Sequence, residues 1–264
     1  MKIRMLSATA GGALLCFPLL PSAAPAQAAA ERTMTVFVTA AAVPDVGKID
    51  KATETKLLDA LKAARQKRKD LEKTLKAQHG NKREAWPAEI EDQMYDAEET
   101  EALAEADWAY RKVKQEGLSD TAADIRKSIA GDGVAGKKDH IALVDSAADA
   151  QLIVEVSGRR SGSSGSQPGL MIVRDDLFWV SFVVKPGPKL PADRFAAVPR
   201  TYRLRRMGYQ AWRLAIPRPD HPEWRFEAHS TQRWGAAANV ASVLVEDFIG
   251  KNYDAMLSAG SAEE

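Results

Sequence analysis

The stretch IALVDSAADAQLIVEV, residues 141–156, decides the interpretation of the fold. Its two apolar segments are rich in β-branched residues and predict strands over 140–144 and 151–157. The turn between them, 145–150, is short and polar, with Asp145, Ser146 and Asp149 as its hydrophilic members. The middle of the chain is therefore predicted to be β-structure with a tight connection.

Working outward, further strands are predicted on both sides of this stretch. Residues 34–39 predict an opening strand, and a polar loop is expected over 158–169. A hairpin is predicted from 170–173 and 177–184, turning at Asp175 and Asp176. The proline-rich segment 185–199 predicts a loop, and three more strands are expected at 200–207, 209–216 and 223–229.

Helical periodicity occurs in four segments. Apolar residues recur at spacings of three, four or seven over 49–78 and again from Pro87 to about Glu116, where Gly117 is expected to end the helix. Ser119 and Asp120 predict the start of a short helix that ends before Gly131. The last helix is predicted over 231–249, with a wide apolar face and Gly250 at its C-cap.

The first two helices carry opposite charge. Basic residues cluster over 62–83, and acidic residues cluster over 89–107 with no base between Arg83 and Arg111. The short connection at 79–86 favours an antiparallel hairpin in which these charges pair. The alternative, compatible with the first, is a projecting hairpin that binds another protein.

Together these segments predict an α+β protein with a mixed or antiparallel sheet packed by a C-terminal helix. We expect a single domain over 29–257, with the helical hairpin inserted at 49–117. Residues 258–264 are expected to be a disordered tail.

Residues 1–28 predict a cleavable secretory signal peptide. Lys2 and Arg4 precede an apolar run over 11–20, and small residues lead to a small-x-small pattern at 26–28. Cleavage is expected near Ala28, with neighbouring small residues as alternative sites. The apolar run has about half of the roughly 20 residues needed to cross a bilayer, which argues against a membrane-spanning anchor. The expected location is periplasmic or secreted.

The expected mature chain contains no cysteine and is nearly neutral. Cys16 is the sole cysteine, and Leu15 before it is not the small residue that a lipoprotein signal needs. Removal of Lys2 and Arg4 changes the formal net charge from +1 to −1, since 35 basic residues then face 36 acidic ones. These properties exclude disulfides and thiolate chemistry from the mature chain and argue against a nucleic-acid partner.

The order of elements around 118–157 and at the terminal helix resembles a small domain of bacterial envelope proteins. The strand, acidic turn, Ala-Asp pair and strand over 141–156 are similar to the amino-terminal domain of TolB-like periplasmic proteins and to the curli-secretion lipoprotein family. The hairpin over 50–116 would be an insertion in that domain, and the lipid anchor of the lipoproteins is missing. The resemblance implies a non-enzymatic envelope module.

The segment 194–233 combines arginine with aromatic residues and is the candidate binding region. Arginine recognises anionic groups through paired hydrogen bonds or stacking. The candidate residues for an anion or partner are Arg203, Arg205, Tyr209, Trp212 and Arg213, and the three arginines are expected to form one exposed patch. The alternative is that the arginines line the solvent side of strands while the aromatics pack inward.

No catalytic or metal motif occurs in the sequence. Glu227 and His229 are weak candidates for a metal, because alternate residues of a strand share a face, but a third ligand is missing. The alternative is an ordinary polar outer face. The glycine-rich loop at 158–166 lacks the ending of a phosphate loop. We therefore expect no cofactor.

The function predicted from these observations is a non-catalytic, exported binding or interaction module of the cell envelope. Its expected partner is an envelope protein or an anionic envelope component. The alternative is an extracytoplasmic hydrolase whose site is assembled from scattered Asp, Glu and His residues.

Overall fold

A computed structural model describes residues 33–43, 49–131, 141–163, 176–199, 211–218 and 221–258. All of these belong to one compact unit that begins at Thr33. None of the helices in these ranges is long and apolar enough to cross a membrane.

Six strands form one mixed sheet. They are β1 (Met34–Ala40), β2 (Ile141–Leu143), β3 (Leu152–Ser163), β4 (Asp176–Pro186), β5 (Ala211–Ala215) and β6 (Trp224–Ser230). Their order in the sheet is β2-β1-β3-β4-β6-β5. β1 is parallel to β2 and β3, and the pairs β3–β4, β4–β6 and β6–β5 are antiparallel. The predicted α+β class and mixed sheet are confirmed.

The stretch 141–156 folds around β1. Val36 lies beside Leu143 of β2 on one side and beside Leu152 of β3 on the other. The turn between β2 and β3 contains a single 3₁₀ turn (Ala147–Asp149). The Ser146 hydroxyl caps its start by accepting a hydrogen bond from Ala148 N. The short polar turn therefore lets two parallel strands flank the opening strand.

Five α-helices occur among the described residues. They are α1 (Lys51–His79), α2 (Ala88–Ala109), α3 (Gln115–Ala130), α4 (Ala192–Ala196) and α5 (Trp234–Ser258). α3 and α5 pack on one face of the sheet, which we call the front face. The core there includes stacked Phe182 and Phe226, with ring centroids 5.3 Å apart, and Phe248 of α5 at 5.8 Å from Phe226. Burial of each such side chain stabilises the fold by about 1.5–3 kcal/mol.

α1 and α2 form the predicted antiparallel hairpin. Arg65 and Arg68 of α1 pair with Glu101 of α2, and Arg83 in the connection pairs with Glu98 at 3.0 Å. Leu75, Trp86 and Met94 form a separate small core inside the hairpin. The predicted intramolecular charge pairing is confirmed, and α2 also packs against β5.

Two predicted helix ends are wrong, and packing explains both. The second helix ends at Ala109 rather than near Glu116, and α3 begins at Gln115, so Gly117 lies inside a helix. A Cβ at Gly117 would lie 3.2 Å from Arg159 Nη1, so this glycine makes room for a side chain of the sheet. Gly250 also lies inside α5, because Tyr253 and Met256 continue its buried face.

The predicted loops over 158–169 and 185–199 are wrong in part. β3 continues to Ser163 across a register shift between Val156 and Gly158, because it pairs with β4 along its whole length. β4 thus pairs with β3 and β6. The strands predicted at 170–173 and 200–207 lie outside the described residues. The proline-rich segment contains the short helix α4, whose Phe195 is buried in the core.

Candidate functional site

Polar and aromatic side chains line up on the face of the sheet opposite α3 and α5, which we call the back face. Strand residues alternate between faces, and the buried Phe226 and Ala228 place Glu227 and His229 on the back. Register then aligns Arg160 of β3, Trp179 of β4 and His229 of β6 in one row across three strands. We call Tyr110, Arg160, Trp179, Glu227 and His229 the back-face cluster.

Glu227 is the most buried member of the cluster. Its neighbour is Tyr110, which follows α2 and donates a hydrogen bond from its hydroxyl to Glu227 Oε2 at 2.6 Å. Arg160 Nη2 lies 3.7 Å from the other carboxylate oxygen. Glu227 is only 9% exposed, so the chain segment after α2 covers a carboxylate that the sequence pattern would place in solvent.

Gly158 allows Tyr110 to lie flat on the sheet. A Cβ at this position would lie 2.5 Å from Cγ of the Tyr110 ring, closer than real Cβ contacts. The register shift beside Gly158 marks the same place, where β3 is irregular opposite β4. The glycine therefore positions the tyrosine hydroxyl over Glu227.

Arg160 is held by aromatic rings more than by hydrogen bonds. Its guanidinium carbon lies 3.8 Å from the centroid of Trp179 and 5.9 Å from that of Tyr110. Its Nε is buried and has no hydrogen-bond partner within the described ranges. The side chain is 29% exposed, so a positively charged group with unused donor capacity lies at the edge of the cluster.

Burial dominates the protonation equilibria of the cluster. It raises the pKa of Glu227 above its ordinary value, against the opposing effects of the Tyr110 hydrogen bond and the Arg160 charge. Burial and the adjacent carboxylate raise the pKa of Tyr110 well above its ordinary range, so this phenol remains a hydrogen-bond donor. The cluster thus contains a fixed donor, a desolvated acceptor and a stacked cation.

The prediction that Arg213 belongs to an exposed patch is wrong. Its side chain is 6% exposed, and its Nη1 lies 3.4 Å from Glu99 Oε1 of α2. The same carboxylate group accepts hydrogen bonds from Ile216 N and from Arg218. α2 covers this end of the sheet, so Arg213 anchors the hairpin instead of facing a ligand.

The other predicted site residues are placed only in part. Arg203, Arg205 and Tyr209 lie outside the described residues. The backbone of Trp212 pairs with Glu227 across β5 and β6, which puts this residue next to the cluster in the sheet. The outer face of β6, which the sequence predicts to be exposed and polar, is covered at Glu227 by the segment after α2.

The weak metal candidates, Glu227 and His229, lie in the back-face cluster, but the residues near them are not suited to binding a metal ion. Glu227 and His229 are two residues apart on one face, and the ring of His229 lies 6.2 Å from that of Trp179. No group of three or more potential ligands occurs among the residues whose positions are described. Glu227 accepts a hydrogen bond from the Tyr110 hydroxyl, and the positive charge of Arg160 nearby disfavours a bound cation.

Sequence reasoning missed Tyr110, Arg160 and Trp179. The sequence predicts Tyr110 inside a longer helix and Arg160 in a loop, so it places neither near a strand. The available signal is Gly158, which directly follows the predicted strand 151–157; once the strand is extended through it, a glycine there often marks close approach of another group.

A groove of about 540 Å³ lies elsewhere, between α3 and α5. Its walls include Lys127 and Arg233 but also Asp124 and Glu246. The walls carry both signs of charge and show no preference for an anion or a cation. The back-face cluster therefore carries the functional proposal.

No family model, curated protein or solved structure matches this chain.

Proposed function

We propose that this protein is an exported, non-catalytic binding module of the cell envelope whose back-face cluster holds an anionic group of an envelope component. The observation that carries the proposal is the half-buried guanidinium of Arg160, stacked 3.8 Å over Trp179. A stacked guanidinium is preorganised for a carboxylate or phosphate, because less side-chain freedom is lost on binding. The signal peptide predicted at 1–28 supports a partner outside the cytoplasm.

The contacts within the cluster favour binding over hydrolysis. Glu227 receives its hydrogen bond from Tyr110, whose raised pKa keeps it protonated, and this phenol is no base for a nucleophile. Arg160, which lies near Glu227, can donate hydrogen bonds but does not act as an acid or a base at neutral pH. The guanidinium of Arg160, whose side chain is 29% exposed at the edge of the cluster, is suited to holding a negative charge.

The alternative, an extracytoplasmic hydrolase, has one observation in its favour. Glu227 has a raised pKa and lies two residues from His229 on the same face, a combination that general acid catalysis uses. The two proposals differ in what they require of Glu227. A hydrolase loses turnover when Glu227 becomes glutamine, whereas a binding module keeps its ligand.

The direct test is capture of anionic envelope material by the immobilised, processed chain. Lipopolysaccharide and anionic cell-wall polymer are offered in separate arms, with inorganic phosphate and acetate as competitors. The Arg160→Gln variant should lose capture by about tenfold or more, since a hydrogen bond to a charged group contributes about 1.5–3 kcal/mol. The matched control is Lys189→Gln, which removes a cation that is 54% exposed and lies on the turn after β4. Equal capture by wild type and Arg160→Gln would contradict the proposal.

Export is tested separately by sequencing the amino terminus of the protein recovered from the periplasm or medium. We expect a start near residue 29, after Ala28. A chain that retains residues 1–28 in the cytoplasmic fraction would contradict the exported part of the proposal.

A further inference from the structure

α1 carries a line of lysines on the side away from α2. A helix advances about 100° per residue, so Lys51, Lys62, Lys69 and Lys73 lie within an arc of about 40°. All four are exposed. Together they extend over about 33 Å of helix at about 1.5 Å per residue, and we call them the lysine face.

The ion pairs of the hairpin use a different side of α1. Arg65 and Arg68 turn to Glu101 of α2, whereas Lys51, Lys69 and Lys73 have no ion-pair partner within the described parts of the chain. Lys62 has one weak pair with Asp59 at 3.5 Å, in which both side chains are about two-thirds exposed. No acidic residue falls within the arc itself. Apart from the exposed Lys62–Asp59 pair, the charges of the lysine face are thus uncompensated by ion pairs among the described residues.

We infer that the lysine face docks the protein on an anionic phospholipid surface. A straight row of exposed ammonium groups matches a flat sheet of negative headgroups, and each lysine near such a surface adds attraction independently of exact geometry. The stable core of a protein–protein interface instead needs apolar or aromatic anchors. Among the described residues the exposed large hydrophobic side chain is Val243, which lies on α5 and not on the hairpin.

This surface is separate from the back-face cluster and adds a second contact to the proposed function. The acidic helix α2 lies on the other side of the hairpin, so binding through α1 also orients the molecule. The α1 side faces the lipid while the negative charge of α2 is turned away from it. The exported location is where such a lipid surface would be met, and in that respect the inference rests on the proposed function.

The test is cosedimentation of the processed chain with vesicles of phosphatidylcholine, with or without phosphatidylglycerol. We expect binding only to the anionic vesicles and its loss when NaCl is raised from about 0.1 M to about 1 M, which shortens the Debye length from about 10 Å to about 3 Å. Reversal of Lys62, Lys69 and Lys73 to glutamate should lower the partition coefficient by about 100-fold or more.

The matched control is reversal of Lys56, Lys67 and Lys112 to glutamate. These residues are exposed on the same hairpin but lie off the lysine face, and the change in net charge is the same. The control should retain most of the binding, and circular dichroism should show equal helix content in both variants. Equal losses in the two triple variants, or binding to neutral vesicles alone, would overturn the inference. Capture of anionic cell-wall polymer by the Lys62, Lys69 and Lys73 variant should equal capture by the Lys56, Lys67 and Lys112 variant, which separates failure here from failure of the proposed function.

Discussion

The hydroxyl of Tyr110 and the carboxylate of Glu227 are 2.6 Å apart, and this contact joins the end of the helical hairpin to a central strand. The two residues are 117 positions apart in the chain. The hydrogen bond compensates in part for the burial of Glu227, because a buried acceptor without a partner would cost about 1–3 kcal/mol. The inserted hairpin is therefore part of the site that we propose, and its sequence alone gives no indication of this role.

The close approach of Tyr110 to Gly158 predicts the effect of adding a single methyl group. Gly158→Ala should lower the free energy of unfolding by about 1–3 kcal/mol, because its Cβ would overlap the tyrosine ring. Chemical denaturation of the variant measures this loss.

Two further variants make that prediction specific. Gly162→Ala, in the same strand, places its Cβ at an ordinary 3.4 Å from Trp179 and should have a small effect. In a Tyr110→Ala background the cost of Gly158→Ala should disappear. A cost that persists without the tyrosine would show that the strand itself requires glycine.

The raised pKa of Glu227 predicts how stability depends on pH. The folded state binds the carboxyl proton of Glu227 more tightly than the unfolded state does. Glu227 therefore contributes most to the free energy of unfolding below its unfolded pKa, and this contribution is lost as pH rises through its folded pKa. Glu227→Gln removes this dependence. Relative to wild type, the variant should therefore gain stability as pH rises from the ordinary pKa of glutamate, about 4.3, through the raised pKa of the folded state.

Denaturation of both proteins at a series of pH values measures the effect. A difference in unfolding free energy that stays constant over this range, or that shifts in favour of wild type as pH rises, would contradict a raised pKa.

The contacts of Glu99 attach the helical hairpin to β5 of the sheet, so a substitution there should measure the strength of this attachment. Its side chain is 7% exposed and accepts hydrogen bonds from β5 and the segment after it. Glu99→Ala should cost about 3–5 kcal/mol, the range for breaking a buried ion pair. Hydrogen exchange should quicken first in β5.

The control for that variant is Asp107→Ala, which changes an exposed acid on the same helix and should alter stability by about 0.5 kcal/mol or less. Similar costs for the two variants would mean that Glu99 does not anchor the hairpin.

The sequence predicts the elements of this fold better than it predicts their ends. Charge clustering in the first two helices indicates their antiparallel pairing, because Arg65, Arg68 and Glu101 act at short range within one hairpin. Local preference predicts helix ends at Gly117 and Gly250, but tertiary packing around Arg159 and Met256 overrides it.

The candidate site was less predictable than the fold. Glu227 and His229 were found because strand alternation places them on one face. The sequence predicts an exposed Arg213, because nothing in its own strand shows that α2 covers it. Contacts between Tyr110 and Gly158, 48 positions apart in the printed sequence, depend on the docking of the hairpin, which no local pattern encodes.

The central claim is that the back-face cluster binds an anionic group and does not convert it. Equilibrium binding of the captured envelope component to wild type, Arg160→Gln and Glu227→Gln tests this claim most directly, with chemical analysis of the component after incubation. We predict binding about tenfold or more weaker for Arg160→Gln, binding at least as tight as wild type for Glu227→Gln, and an unchanged component throughout. Conversion of the component by wild type that is lost in Glu227→Gln, or undiminished binding by Arg160→Gln, would contradict the account.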